Sequence, residues 1–469
     1  MRTHALALNV QTRQKLTITH MDAGALYVDE YSQLQGELNH AGALRTTYAR
    51  EAKYSLNRDT YYKPLERWGR LPVVVYSGDH LQLPPVPARS SMLAPLDGTT
   101  NEHKVGAKIF RDADLVFEFV ESMRFTDQTL IDILKVMRTP GGKTLSEQQW
   151  QALTDTQVTA TQRAIPSTWY HSCYCWSAIS MASYMISRKS AREAEQTLFY
   201  VQAVDQAKAI TPETNKKAFY EESLRLPSIQ KTKRLPPVVL FRLGMRVRLT
   251  TTIQQLFVVQ DVEGTVVGFD PDPADKSIVA RLRSQASGHA GDFACHLMPK
   301  AIYVKLDDCE LELLPPVPCC ESDYIAAPLG VMAILPLSRT FKYFCSKDDT
   351  SKYVIISRRQ IPLMPAQIVP LYSMQGTTAD PGLVAYWFFP QQCDKTIRWL
   401  IVYVMLSRPR FLATLRSVNL TPKIREIIEE GPPNDLVANF DQLFQDKIKA
   451  TRTLARQAAE AHGLLPEFF

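Results

Sequence analysis

Two short apolar runs, each ending in an acidic turn, constrain the fold of this chain more than any other feature. Ala25–Val28 leads into Asp29-Glu30, and Leu71–Tyr76 leads into Ser77-Gly78-Asp79. Apolar runs without polar alternation are typical of strands buried on both faces of a parallel sheet. The polar stretch between them, residues 31–68, predicts a crossover helix with its loops, so the pattern is α/β. Because ligands of such sheets bind at the carboxyl ends of the strands, both acidic turns lie where a site is expected.

The composition is that of a large globular protein and excludes fibrous, disordered and disulfide-stapled classes. The chain has 469 residues, of which 45% are hydrophobic and 22% charged, so its length predicts about three domains. A net charge of +6 permits a nucleic-acid partner without demanding one. The eight cysteines have irregular spacing, which predicts reduced thiols of an intracellular protein. The longest clean apolar run, Trp399–Leu406, is too short for a bilayer span of about 20 residues, so no membrane association is expected.

The acidic pair Asp29-Glu30 has the form of a Walker B element. In this arrangement one carboxylate, Asp29, holds Mg²⁺ through water, and the next, Glu30, orients or deprotonates the attacking water. Acidic pairs after strands are common, so this pair alone is weak evidence for a nucleotide site.

The string Gly78-Asp79-His80-Leu81-Gln82-Leu83-Pro84-Pro85-Val86 is far more specific. Asp79 and Gln82, three residues apart in a loop stiffened by prolines, predict a rigid polar loop that reports whether a γ-phosphate is present. The string resembles motif III of superfamily-one DNA helicases, in particular those of the petite integration frequency (PIF) and RecD-like type. These proteins carry Gly-Asp-x-x-Gln-Leu-Pro-Pro-Val at this place.

The resemblance continues along the chain in the family's order. Residues 121–138 resemble motif IV, where Arg124 would reach the nucleotide phosphates. Residues 361–378 resemble motif V, which carries over Gln375, Gly376 and Thr377. Residues 403–408 resemble motif VI, whose Arg408 would act as an arginine finger, since a guanidinium neutralises developing phosphate charge in two directions.

The resemblance implies an α/β fold with two RecA-like P-loop NTPase motor domains, the first one truncated, and an SH3-like β insertion in the second. The expected organisation is given by the following ranges: 1–120 for the remainder of the first motor domain with the Walker B element and motif III, 121–242 for the start of the second, 243–345 for the insertion, 346–420 for the rest of the second with motifs V and VI, and 421–469 for a C-terminal helical tail.

The resemblance also implies a function. It is that of an ATP-dependent DNA helicase which uses ATP and Mg²⁺ and moves five-prime to three-prime on single-stranded DNA during replication, repair, recombination or telomere maintenance. Glu30, Gln82, Arg124 and Arg408 would be catalytic, Asp79, Gln375, Gly376 and Thr377 would bind the nucleotide, and Asp29 would bind the metal. Single-stranded DNA and duplex junctions would be the partners, in the nucleus or mitochondrion of a eukaryote. Six basic residues are candidates for phosphate contacts: Arg188, Lys189, Arg192, Lys231, Lys233 and Arg234.

Two departures from the family pattern leave alternatives open. No Gly-x-x-x-x-Gly-Lys-Ser/Thr occurs; Gly141-Gly142-Lys143-Thr144 ends like one, but Met137 stands where its first glycine belongs. Motif V reads Leu371-Tyr372-Ser373-Met374 where the family has Ile-His-Lys-Ser/Ala. We therefore expect an N-terminally incomplete chain that is inactive by itself. A non-catalytic DNA-binding pseudo-helicase and the helicase part of a rolling-circle transposon protein are the alternatives.

Overall fold

The computed structural model describes residues 18, 22–54, 67–119, 124–158, 165–174, 176–207, 232–253, 258–284, 291–307, 309–311, 317–319, 323–325, 329–344, 353–390 and 393–463. The helices are α1 (Gly36–Tyr54), α2 (Asn101–Arg111), α3 (Gln128–Met137), α4 (Glu147–Thr154), α5 (Trp176–Glu193), α6 (Lys276–Ser284), α7 (Leu371–Met374), α8 (Lys395–Leu406), α9 (Pro422–Glu429) and α10 (Asn434–Ala461). Short 3₁₀ turns lie at Tyr31–Gln33, Arg67–Gly69, Ala88–Ser90 and Leu412–Thr414.

The strands, in chain order, are β1 (Ala25–Val28), β2 (Val73–Tyr76), β3 (Tyr170–Cys173), β4 (Leu198–Gln202), β5 (Val204–Ala207), β6 (Val238–Phe241), β7 (Arg246–Leu249), β8 (Glu263–Asp270), β9 (Asp292–Ala294), β10 (Ala301–Leu306), β11 (Val317–Cys319), β12 (Asp323–Ile325), β13 (Val331–Ile334), β14 (Leu337–Phe344), β15 (Tyr353–Gln360), β16 (Leu363–Pro365), β17 (Ile368–Pro370), β18 (Leu383–Tyr386) and β19 (Leu415–Val418). The chain divides into two compact units. The first comprises residues 1–155, 391–412 and 421–469, and the second comprises residues 156–390 and 413–420.

The first unit contains the two strands that the sequence predicts, joined by the predicted crossover helix. β1 and β2 pair in parallel, with Ala25 opposite Val73 and Val28 opposite Tyr76. Helix α1 lies between them in sequence and packs against α2. The long helix α10 completes the core of this unit. The buried members of this core are Tyr31, Met92, Leu93, Ala107, Phe110, Phe444 and Ile448.

Helix α10 is also fastened to the end of α2 and to the segment after it. Lys447 Nζ donates to the carbonyl oxygens of Arg111 and Ala113 at 2.7 and 2.9 Å, and so binds the exposed carbonyls at the end of α2. The hydroxyl of Thr451 accepts the backbone N–H of Val116 at 3.0 Å. The predicted C-terminal helix is therefore confirmed, and it contacts residues more than 300 positions earlier in the chain.

Local sequence signals explain where α3 and α4 begin. The Asp127 carboxylate accepts the N–H of Leu130 at the start of α3, and Ser146 forms a reciprocal capping box with Gln149 at the start of α4. Between these helices Gly141 and Gly142 have φ of +79° and +83°, which ends α3 in the way the sequence predicts.

The second unit contains a four-stranded parallel sheet in the order β17-β3-β18-β19. Its strands are buried: Leu383, Ala385, Ile368 and Leu415 have no exposed surface. This is the double-sided burial that an α/β sheet requires.

The rest of the second unit is largely antiparallel. A five-stranded sheet has the order β13-β10-β8-β7-β16, and three smaller sheets have the orders β14-β15-β5, β6-β4-β9 and β11-β12. The predicted change to short strands between residues 243 and 305 is therefore confirmed. The finer domain boundaries, including an SH3-like insertion at 243–345, stay a prediction.

One assignment from the sequence is wrong. Residues 352–420 were expected to return to buried strands, but Lys395–Leu406 is the helix α8. Asp394 caps it by accepting the N–H of Ile397 at 2.7 Å, and every residue from Trp399 to Leu406 is buried. An apolar run of this length fits a buried helix as well as a strand, because burial on all sides removes the periodicity that separates them.

No helix within the described ranges is long and apolar enough to cross a membrane.

Candidate functional site

The carboxyl ends of β1 and β2 place Asp29 beside Ser77. The Asp29 Oδ1 atom accepts the N–H of Glu30 at 2.9 Å and a short hydrogen bond from the Ser77 hydroxyl. The same hydroxyl accepts from the phenol of Tyr27 at 2.7 Å. Among the described residues none donates a hydrogen bond to Asp29 Oδ2, and the residue is exposed. One carboxylate oxygen is thus held in place while the other is available to a cation or its water.

The turns that follow the two strands are tied together through their backbones. Ser77 N donates to Val28 O, and Tyr31 N donates to Ser77 O, both at 2.9 Å. Gly78 has φ of +152°, and a Cβ atom there would lie 2.9 Å from Tyr31 N. Glycine is therefore required at this close approach. Glu30 has φ of 53° and ψ of 49°, in the left-handed region.

Asp79 is the centre of a hydrogen-bonded network within the first unit. Its Oδ2 atom accepts from Tyr403 Oη at 2.6 Å and from Arg138 Nη1 at 2.9 Å, and its Oδ1 accepts from Leu81 N at 3.0 Å. Arg138 Nη1 also donates to Tyr403 Oη at 2.5 Å. Burial alone would raise the pKa of the Asp79 carboxyl, but the positive charge of Arg138 and the Tyr403 hydrogen bond outweigh it and hold the pKa below its ordinary value.

Sequence reasoning missed two members of this network. Arg138 and Tyr403 stand inside the strings quoted for motifs IV and VI, but neither was given a role. Arg138 at the end of α3 was read only as part of a helical pattern. Tyr403 was read only as part of an apolar run, although a tyrosine buried in a helix needs a partner for its hydroxyl.

Gln82 lies in the same loop as Asp79. Its backbone N–H donates to Asp79 O at 3.1 Å, which closes the turn. Its side-chain Oε1 is buried and has no hydrogen-bond partner among the described residues. A buried amide oxygen without a donor is uncommon in folded proteins and is a mark of a place where a water or ligand belongs.

Two of the predicted arginines meet at Ser407, at the end of α8. Arg124 Nη1 donates to Ser407 O at 3.1 Å. Arg408 Nη2 donates to Ser407 Oγ at 2.7 Å, and its Nε donates to Val404 O at 3.1 Å. Burial, and then the nearby positive charge of Arg124, lower the pKa of Arg408 to about 10, against the opposing effect of Glu30. Arg408 thus stays cationic at neutral pH, with Arg124 and Glu30 in electrostatic range.

Gln375, Gly376 and Thr377 lie in the second unit, directly after α7. Gln375 is buried, whereas Gly376 and Thr377 are exposed. Gly376 has φ of +81°, and the hydroxyl of Thr377 donates to Met374 O at 2.9 Å. The turn therefore stands at the carboxyl end of β17, the edge of a parallel sheet where ligands bind.

The six candidate basic residues have mixed surroundings. Arg188 pairs with Asp292 at 3.2 Å, and Lys189 pairs with Glu193 at 3.6 Å. Lys233 and Arg234 follow one another in the left-handed region, with φ of 53° and 68°. Lys231 lies outside the described residues. Two of the six are thus engaged by carboxylates, which weakens their case as phosphate contacts.

Comparison with known proteins identifies the fold. A scan against family models finds no match, and a search among curated proteins finds no significant one. Among solved structures, a Bacteroides Pif1 helicase in complex with ADP-AlF3 and single-stranded DNA is 15% identical, with 94% of this chain and 79% of that chain covered and a TM-score of 0.51. The Bacteroides Pif1 bound to single-stranded DNA gives the same values. A Pif1 helicase solved in a study of unwinding at forked duplex DNA is 14% identical, covers 94% and 78%, and has a TM-score of 0.50. The α/β fold of this chain, as its motifs predict, is therefore that of the RecA-like motor domains of superfamily-one Pif1 helicases.

Proposed function

We propose that this chain is an ATP-dependent DNA helicase of the PIF/RecD-like type, which moves five-prime to three-prime on single-stranded DNA. The observation that carries the proposal is the meeting of carboxylates and arginines in the first unit. Asp29, Glu30 and Asp79 end or follow two neighbouring parallel strands. Arg124 and Arg408 share Ser407 and lie in electrostatic range of Glu30. Opposed groups of this kind are what phosphoryl transfer requires, because its catalysis is mostly positioning and electrostatic stabilisation.

The residues present fit the metal and phosphate end of a nucleotide. Asp29 Oδ2 is accessible, and carboxylate oxygens are the ligands that Mg²⁺ prefers. The Gln82 Oε1 atom lacks a donor, which suits a site that binds a water. A Walker A string is not found in the sequence, so the backbone cradle that usually holds the β- and γ-phosphates has no counterpart among the motifs of this chain.

Each site residue would then have a distinct role. Asp29 would hold Mg²⁺ through water, and Glu30 would orient and deprotonate the attacking water. Arg124 and Arg408 would neutralise charge on the phosphate oxygens. Asp79 and Gln82 would respond to the phosphate, because the Asp79 carboxylate is already shared between Arg138 and Tyr403 and can exchange one partner for another. ATP and Mg²⁺ would supply the hydrolysis that drives movement along DNA.

Single-stranded DNA and duplex junctions are the proposed partners. Two of the similar Pif1 structures contain single-stranded DNA, and a third was solved in a study of forked duplex DNA. The mild positive net charge of +6 is compatible with a polyanion. The turn at Gln375, Gly376 and Thr377 would contribute to this surface or to the nucleotide from the second unit.

A second candidate function is a non-catalytic DNA-binding pseudo-helicase. The missing Walker A string and the replacement of the family's His-Lys by Tyr372-Ser373 favour it. The network around Asp79 argues for the catalytic function, because a scaffold has no need of a carboxylate held ionised between an arginine and a tyrosine.

The deciding experiment measures phosphate release from ATP and Mg²⁺ by the full chain, with and without an oligo(dT) strand. We expect DNA-stimulated hydrolysis that is lost in Glu30→Gln and Arg408→Ala. Glu118→Gln, which removes an exposed carboxylate paired with Arg452 in the same unit, is the matched control and should keep the activity. Unwinding of a duplex with a five-prime overhang, and not of one with a three-prime overhang, tests the direction.

Two outcomes would contradict the helicase proposal. Salt-dependent binding of oligo(dT) that no nucleotide alters, without hydrolysis, would establish the pseudo-helicase instead. Absence of both hydrolysis and DNA binding would overturn both candidate functions.

A further inference from the structure

Two tyrosines stand side by side at the carboxyl edge of the parallel sheet in the second unit. β17 and β3 are neighbours in this sheet, with Pro370 opposite Cys173. Tyr174 directly follows β3, and Tyr372 lies two residues after β17, in α7. Their ring centroids are 6.3 Å apart, with the planes tilted by 41°. Two independent strand ends thus bring two aromatic rings to one place.

The residues around each tyrosine are buried, but the rings themselves are half-exposed. Cys173 before Tyr174, and Leu371 and Met374 on either side of Tyr372, are about 1% exposed. Tyr174 and Tyr372 retain intermediate exposure, and neither belongs to the apolar core clusters of this unit. The backbone at both positions is therefore fixed by its buried neighbours, while the rings stay accessible from solvent.

The surface next to these rings suits a polyanion. Residues 371–379, from Leu371 to Ala379, contain no aspartate or glutamate. The exposed Gly376 and Thr377 follow directly, in a turn held by the Thr377 N–H bonded to Met374 O at 3.2 Å. Accessible aromatic faces beside an uncharged turn are the composition of sites that stack nucleobases without reading their sequence.

We propose that Tyr174 and Tyr372 form a stacking platform for unpaired bases of single-stranded DNA. The platform rests on the proposed function, since it assigns part of the DNA-binding surface to the second unit. Tyrosine at position 372 replaces a polar contact to DNA by a ring face. Every base has a π-face, so the platform tolerates any sequence and lets the strand move past it.

The experiment compares binding of fluorescent oligo(dT) with binding of an abasic strand of the same length and phosphate charge. Wild-type chain should bind oligo(dT) more tightly, because the abasic strand offers no ring to stack. Tyr372→Ala and Tyr174→Ala should each weaken oligo(dT) binding by about ten-fold, with little change for the abasic strand and no change in the salt slope. Tyr372→Phe and Tyr174→Phe keep the ring and should restore binding.

A second tyrosine pair in the same unit provides the matched control. Tyr184 on α5 and Tyr200 on β4 have ring centroids 6.2 Å apart with a tilt of 47°, away from the strand ends that carry the platform. Tyr184→Ala should bind both strands as the wild type does. Circular dichroism and the melting midpoint of each variant show whether it is folded.

The failures of the platform and of the proposed function are distinguishable. If the wild type binds oligo(dT) and folded alanine variants bind it equally well, the platform is wrong and DNA binding stands. Equal losses for oligo(dT) and the abasic strand would also overturn the platform, because they would indicate a phosphate contact. A wild type that binds neither strand would overturn the proposed function and the platform with it.

Discussion

Two arginine–carboxylate pairs, one in each unit, join the same chemical groups in different surroundings. In the second unit Arg358 donates from Nε and Nη2 to the two oxygens of Asp205 at 2.8 and 2.7 Å, and the side chains are 0% and 3% exposed. In the first unit Arg138 gives Asp79 one hydrogen bond, from Nη1 at 2.9 Å, and the side chains are 42% and 20% exposed.

The difference teaches which pair is able to change partners. The Arg358–Asp205 fork is dry, and its loss leaves a charge buried without compensation. The Arg138–Asp79 pair is partly hydrated and is supplemented by the Tyr403 hydroxyl, so each group has an alternative partner. The buried pair therefore stabilises the fold, and the partly exposed pair suits a site that responds to a ligand.

Asp205→Ala should have the largest effect on stability. Removing one partner of a buried pair costs about 3–5 kcal/mol, and here it also leaves the Arg358 guanidinium, on β15, without its fork. The free energy of unfolding from urea titration checks this. Asp307→Ala removes a half-exposed aspartate that pairs with Arg246 in the same unit, and should cost much less. Similar losses in the two variants would break the comparison.

Asp79→Asn should cost less, about 1 kcal/mol, because water can solvate the partly exposed Arg138. Tyr403→Phe should cost a similar amount. A double-mutant cycle between Asp79→Asn and Arg138→Gln should give a coupling below that of Asp205→Ala with Arg358→Gln. In the helicase assay Asp79→Asn should nevertheless reduce hydrolysis strongly. A large stability loss with normal hydrolysis would reverse the roles of the two pairs.

The pH dependence near Asp79 sharpens the comparison through His80. The His80 ring stacks on Phe440 of α10, with centroids 3.9 Å apart and a tilt of 10°. Burial lowers the pKa of His80; the charges of Asp79, Asp441 and Glu118 oppose this, and that of Arg138 adds to it. Since the folded state binds the proton less readily than the unfolded state, this contribution to stability is complete above about pH 6.5 and is lost as the pH falls.

His80→Phe keeps the aromatic stack and removes the titration. The melting midpoint of this variant should therefore fall less than that of the wild type between about pH 7.5 and pH 5.5. The lowered pKa of Asp79 acts in a different window, because its contribution is lost only as the pH falls below its ordinary pKa of 3.8. An unchanged slope between pH 7.5 and 5.5 in His80→Phe would show that His80 does not contribute.

Arg452→Ala should have the smallest effect. Arg452 pairs with Glu118 at 2.9 Å, but the side chains are 63% and 43% exposed. Such surface pairs contribute roughly 0.2–1 kcal/mol, and salt screens them further. A loss in urea titration as large as that of Asp79→Asn would mean that exposure does not rank these pairs.

Much of the first unit could be predicted because its signals are local. The apolar runs of β1 and β2 are each followed at once by the acidic residues Asp29, Glu30 and Asp79, so strand ends and candidate site residues were found together. The caps of α4 and the break at Gly141-Gly142 are local as well.

The remaining site could not be predicted because its contacts join distant parts of the chain. Tyr403 and Asp79 are 324 positions apart, and Arg138 and Asp79 are 59 apart. No local pattern records such pairs. The same holds for the stack of His80 on Phe440. The helix α8 was mistaken for strand because complete burial erases the periodicity on which a helix assignment depends.

The fastening of α10 to the segment after α2 has a consequence for synthesis. Val116 and Thr451, which share a hydrogen bond, are 335 residues apart. At roughly 5–20 residues per second a ribosome needs on the order of tens of seconds to make the chain between them. During that interval Tyr31 and Phe110 lack Phe444, which covers them in the finished core, while the second unit is already complete except for β19. The nascent chain therefore carries an exposed apolar surface on its earliest segment until its last helix emerges, and this surface is a natural place for a chaperone to bind.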